Sequence, residues 1–165
     1  SIYQVRPDVQ AICHAHPHEI IPFTACDIPL RSVYHSNCTF YEGIPVYRAL
    51  EPSSGLHIAT RDKGQRMAAV LSEKRGVLIR NHGVVVVGES LPRVIYSSIT
   101  LRDGAKILLD TQALGVEPHY IGTEEAKRCT EIQFGEVGLA RGWNYWCTKA
   151  KQAFPDISGI PHTSE

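Results

Sequence analysis

Val77-Leu78-Ile79-Arg80-Asn81-His82-Gly83-Val84-Val85-Val86-Val87-Gly88 is the stretch on which the fold turns. Two apolar runs flank Asn81-His82-Gly83. Asn and Gly tolerate the backbone that tight turns require. The segment therefore reads as two strands joined by a turn, either as a hairpin or as one strand interrupted by a kink. His82 follows the first run directly. Gly83 lets the backbone come close to a neighbouring group.

Working outward, residues 9–15 read as a buried strand that ends in Cys13-His14-Ala15-His16-Pro17-His18. Residues 17–26 read as a short helix with Pro17 in its first turn. Residues 28–41 are loop-rich. Ile44 to Arg48 is a short strand that Pro45 assigns to an edge or a strand start. Pro52-Ser53-Ser54-Gly55 is a loop. Thr60 caps a helix over about 61–74, with Met67, Val70 and Leu71 as its apolar stripe. Ser90 caps a long helix over about 91–114, in which Leu91, Val94, Ile95, Ala105, Leu108 and Leu109 recur at helical spacing and which Gly115 ends. Thr123 opens another helix to about 150, with a break between Gly135 and Gly142. The sum is an α/β layered domain with helices packed on a mixed sheet. Its expected extent is residues 1–150, followed by a loose tail over 151–165. Ser1 to Pro7 leads into the first strand with no opening helix, so the domain is expected to lack its N-terminal elements.

With 165 residues, the chain has the length of one domain with a real core. Lys plus Arg and Asp plus Glu number 17 each, which gives no charge excess for a nucleic acid or an acidic membrane surface. No apolar run approaches the length of a bilayer span. Five scattered cysteines without CxxC spacing point to free thiols and a cytoplasmic setting rather than a disulfide framework.

The chemistry concentrates in the histidines. Of eight, three stand at the polar ends of these strands: His14, His16 and His82. Residues two apart on a strand share a face, so His14 and His16 can reach one ion. His18 continues the spacing, but Pro17 turns the chain away before it. Three neutral imidazoles suit a divalent transition metal with an open coordination position. His57, His119 and His162 read as surface residues.

His-Ala-His-Pro at 14–17, then Asn81-His82-Gly83-Val84-Val85-Val86-Val87-Gly88 after an apolar strand, then a long helix, resembles the class II aldolase/adducin family over about residues 5–150. The resemblance implies a three-layer α/β/α domain with a central, mainly antiparallel sheet. It implies a divalent metal (Mn, Zn, Fe or Co) on His14, His16 and His82. It also implies a homo-oligomer, usually a tetramer, with active sites between neighbouring subunits. Leu30-Arg31-Ser32-Val33-Tyr34-His35, Gly43-Ile44-Pro45-Val46-Tyr47 and Arg141-Gly142-Trp143-Asn144-Tyr145-Trp146 are similar to the family's decarboxylase branch, which includes 2-hydroxy-3-carboxymuconic semialdehyde decarboxylase. By that analogy His35 is the general acid or base beside the metal, with Tyr34 as a second candidate. Trp143 and Tyr145 either cover a neighbour's substrate pocket or pack on the core. The family's sugar-phosphate aldolases place a catalytic carboxylate and phosphate-binding Gly/Ser loops before the His-x-His pair, and this chain begins after that point. Ser53-Ser54-Gly55 lies on the wrong side of the pair and reads as an ordinary loop.

The expected function is a metal-dependent lyase that decarboxylates an unsaturated or aromatic hydroxy-carboxylic acid. Loss of carbon dioxide leaves a carbanion or enolate, and a divalent Lewis acid is the electron sink such chemistry needs. The alternatives are an aldolase or epimerase on a sugar phosphate, an iron-dependent oxygenase of an aromatic acid, and an adducin-like structural module without metal.

Overall fold

In the central hairpin, Val77 and Ile79 turn to one side of the sheet and Leu78 to the other, the period-two alternation of a strand. The structure, a computed structural model, describes residues 1–49 and 55–156. In chain order its elements are α1 (Ile2–Val5), β1 (Ala11–Ala15), α2 (Ile21–Thr24), a 3₁₀ helix (His35–Phe40), β2 (Val46–Tyr47) and α3 (Arg61–Leu71). There follow β3 (Gly76–Ile79), β4 (Gly83–Gly88), α4 (Leu91–Ala113), α5 (Thr123–Phe134) and α6 (Glu136–Ala153).

The four strands form one sheet in the order β1-β4-β3-β2. Strand β4 pairs antiparallel with both β1 and β3, so the two apolar runs form a hairpin rather than a kinked strand. Asn81 takes a left-handed backbone (φ 52°) in the turn, which closes when the His82 N–H donates to the Ile79 carbonyl at 3.0 Å. Asn is one of the few side chains that accept this conformation at small cost. Strand β2 lies at the edge, parallel to β3, as Pro45 indicated. It is two residues long.

Both faces of the sheet are covered. On one, Val77, Ile79, Val85 and Val87 pack with Met67, Ala68 and Leu71 of α3. On the other, Leu78, Val84 and Val86 pack with Leu101, Ala105 and Leu108 of α4 and with Ile20, Phe23 and Leu30. Each such Val, Leu, Ile, Phe or Met side chain contributes about 1.5–3 kcal/mol on full burial. This is the expected three-layer α/β/α arrangement around a mainly antiparallel sheet.

The elements differ from expectation in several places. Ser1 to Pro7 includes the one-turn α1, with Ile2 buried. The helix expected over 17–26 shrinks to the single turn of α2, because Pro22 can donate no backbone bond and fits only its first turn. Helix α3 stops at Leu71, where Ser72 turns to φ 48°. Its buried stripe is Lys63, Gly64, Met67, Ala68 and Leu71, and Val70 faces outward. In α4, Leu91 is exposed, while Val94, Ser97, Leu101, Ala105 and Leu108 face inward. The last helical run divides at Gly135, and α6 continues to Ala153, into the segment expected to be loose. The rest of that segment from 157, like Pro52, Ser53 and Ser54, lies outside the described residues. All five cysteines are free, two buried and three half-buried. Among the described residues, no helix is long and apolar enough to cross a membrane.

Candidate metal centre

Strand register places the histidines. His14 lies opposite Val85, whose side chain belongs to the α3 face of the sheet, so His14 points to that face. His16 follows two residues later, just beyond the strand. His82 comes from the adjoining hairpin turn. Ala15 pairs with Val84, so the end of β1 passes directly over Gly83. A Cβ at Gly83 would stand 2.5 Å from the Ala15 carbonyl oxygen and 2.7 Å from the His16 ring. Glycine at 83 therefore supplies the room that lets both histidine-bearing segments meet.

They meet closely. Ring centroids are 4.7 Å apart for His14–His16, 5.0 Å for His14–His82 and 4.9 Å for His16–His82. Candidate ligand nitrogens from all three lie within 4.8 Å of one another. His14 Nδ1 is 3.0 Å from the Val84 carbonyl oxygen, and His82 Nδ1 is 2.8 Å from that of Leu56. A carbonyl can only accept, so each Nδ1 carries the proton and each Nε2 keeps its lone pair. Backbone anchoring of the far ring nitrogen is the arrangement metal-binding imidazoles use. Desolvation, and then the neighbouring His14 and His82 rings, hold His16 below the ordinary imidazole pKa, which favours the neutral form a metal requires. The donor set thus fits a divalent transition ion and leaves positions for solvent or substrate.

A cavity of about 510 Å³ opens beside the cluster, lined by His14, His16, His57, Ile58, Ala59, Met67, Ile79, His82 and Val85. Among the described residues, no Lys, Arg, Asp or Glu lines it. His57, read from sequence as a surface residue, is indeed exposed, yet its ring meets that of His82 edge-on at 5.7 Å. It sits on a loop with no periodicity to flag it. His18 stays outside the three-histidine cluster.

The other site residues stand elsewhere. His35 opens the 3₁₀ helix, with Tyr34 edge-on at 4.8 Å and Ser36 Oγ 3.2 Å from its Nε2. Its carbonyl accepts from the Gln133 side-chain amide of α5. Neither His35 nor Tyr34 lines the histidine cavity of its own chain. Trp143 is half-buried on α6, and Tyr145 is exposed, with Trp146 edge-on at 4.9 Å. These two also lie away from the cavity lining.

The family described as Class II Aldolase and Adducin N-terminal domain matches residues 1–109. The chain belongs to that family. Its relatives include the decarboxylase NovR of Streptomyces niveus, 34% identical over 87% of this chain and 50% of its own length. A 4-hydroxy-3-prenylphenylpyruvate oxygenase/4-hydroxy-3-prenylbenzoate synthase of Streptomyces roseochromogenus subsp. oscitans is also 34% identical, over 87% of this chain and 49% of its own. The decarboxylase tropJ of Talaromyces stipitatus is 28% identical over 88% and 63%. The chain therefore spans about half to two thirds of these relatives. Among solved structures, the L-fuculose 1-phosphate aldolase of Glaciozyma antarctica superposes over 94% of this chain and 57% of its own with a TM-score of 0.73, at 21% identity. That likeness speaks for the fold alone.

Proposed function

We propose that this chain carries the metal centre of a lyase that decarboxylates an aromatic or unsaturated hydroxy-carboxylic acid. The observation that carries the reading is the cavity: three metal-ready imidazoles in a pocket whose other described lining is apolar apart from His57. A sugar phosphate needs cationic or backbone-rich phosphate contacts, and no Lys or Arg lines the described cavity. A flat unsaturated acid suits walls of Ile58, Ala59, Met67, Ile79 and Val85. Two of the relatives above are named decarboxylases, which supports the reaction type.

His14, His16 and His82 would hold the ion. A divalent ion bound there supplies Lewis-acid stabilisation for the negative charge that develops as carbon dioxide leaves. The apolar walls exclude water, which strengthens every electrostatic contact in the pocket. The proton that replaces the carboxylate is assigned to His35, with Tyr34 second. Because neither lines the cavity of its own chain, this assignment requires a homo-oligomer, a tetramer in our reading, that presents them to a neighbouring copy. Trp143 and Tyr145 would close the neighbour's pocket in the same assembly.

The test is anaerobic incubation of the metal-loaded protein with a panel of aromatic and unsaturated hydroxy-acids. Carbon dioxide release without oxygen is expected. Turnover that starts only when oxygen is admitted, and consumes it, would replace this reading with the oxygenase one that the second Streptomyces relative favours. A protein that takes up no divalent metal would favour the structural module.

A further inference from the structure

Among the described residues, the cavity has one polar side chain that the three-histidine set leaves unused. Its lining, as described, consists of His14, His16, His82, five apolar residues and His57. A substrate group that does not reach the ion therefore meets a single side-chain hydrogen-bonding partner there. His57 is placed for this by an unusual backbone. Gly55 (φ 57°) and Leu56 (φ 65°) are consecutive left-handed residues. Glycine adopts that conformation freely, but leucine does so only where its surroundings hold it. Leu56 packs its side chain against the α3-side core and gives its carbonyl to His82 Nδ1. One strained turn thus fixes the His82 ring and, in the next residue, sets the His57 ring edge-on against it at 5.7 Å. His57 lies outside the metal set, and it lines the same cavity.

We propose that His57 is a substrate-contact residue that hydrogen-bonds the polar group of the acid standing off the metal, and so selects which end of the molecule the metal receives. This deepens the decarboxylase reading and rests on it. A neutral imidazole offers one N–H donor and one acceptor, which suits a free carboxylate or ring hydroxyl.

The experiment uses the cobalt-loaded protein and two probes. The first, 3,4-dihydroxybenzoate, can chelate through its two hydroxyls and leaves a carboxylate over. The second, catechol, chelates in the same way and has no carboxylate. His57→Ala is expected to weaken 3,4-dihydroxybenzoate binding about tenfold and catechol binding less than twofold, with the cobalt absorption spectrum and cobalt affinity unchanged. His57→Gln, which retains an N–H donor, is expected to recover most of the loss. Equal weakening of both probes, weakening of neither, or a changed cobalt spectrum in His57→Ala overturns the proposal. A wild-type protein that takes up no cobalt fails earlier, and that result overturns the metal reading together with this inference.

Discussion

The two histidine-bearing ends of this domain are built in opposite ways. His14, His16 and His82 stand on strand ends, held by ladder register and backbone carbonyls. Tyr34 and His35 stand at the start of a 3₁₀ helix and are held by helix packing, through the Gln133 amide to the His35 carbonyl. In the first case the backbone that forms the sheet also aims the rings. In the second the aim depends on how α5 lies against the 3₁₀ segment, and through the proposed function on a neighbouring copy. On the proposed function, the difference separates a metal set gathered within one chain from an acid–base pair that a second copy would have to receive.

The sharpest way to break the comparison is to remove one histidine from each end. His82→Ala is expected to lower divalent-metal affinity at least about a hundredfold, measured as metal content after dialysis. His35→Ala is expected to leave that content unchanged. Stoichiometric metal that survives His82→Ala would abolish the distinction.

Two glycines give the next largest effect. At Gly83 a methyl group meets the Ala15 carbonyl oxygen and the His16 ring. At Gly104 of α4 it would fall 1.9 Å from Asn37 Nδ2, inside the 3₁₀ segment's packing. Each Gly→Ala substitution is expected to cost about 1–3 kcal/mol in chemical denaturation. Only Gly83→Ala is expected to weaken metal binding as well, by roughly tenfold, since it alone displaces a ligand ring. A metal affinity that Gly104→Ala lowers equally would show the two ends to be coupled.

The smallest effect lies in alkaline solution. Burial first, and then the adjacent Cys129 thiol of α5, push Cys38 of the 3₁₀ helix up to about 12. The unfolded chain ionises this thiol near its ordinary value while the folded chain keeps its proton. Its contribution to stability is therefore whole below about pH 9 and is lost as the pH climbs toward 12. Denaturation midpoints of the wild type should fall between pH 8 and 10.5 more steeply than those of Cys38→Ala, with metal binding no part of the difference. Parallel slopes would remove Cys38 as the cause.

Much of the strand-built end was legible in the sequence, because its signals are local. Spacing of two puts His14 and His16 on one face, and an apolar run followed by Asn81-His82-Gly83 marks a turn. Caps at Thr60 and Ser90 placed α3 and α4 to within a few residues. What escaped depends on tertiary context. Val70 obeys the helical spacing yet lies beyond the arc that the sheet covers. His57 reaches the cavity only because two left-handed residues redirect its loop, and leucine at 56 carries no sequence signal for that turn. His35 could be named from motif similarity, but its place outside the cavity lining follows from how the 3₁₀ segment packs on α4 and α5, which no spacing encodes.

The pairing of β1 with β4 has a consequence for folding itself. Side chains alternate along β1, so a slip of one residue against β4 would turn Cys13 and Ala15 toward α3 and carry His14 and His16 to the α4 side. Valines occupy four successive β4 positions opposite, so apolar contact alone discriminates weakly between the two alignments. An ion that needs His14, His16 and His82 together binds only the in-register form and stabilises it by mass action. In that respect the metal would act as a proofreader of strand alignment, and a chain folded without it would lose part of the selection that keeps its histidines on the working face.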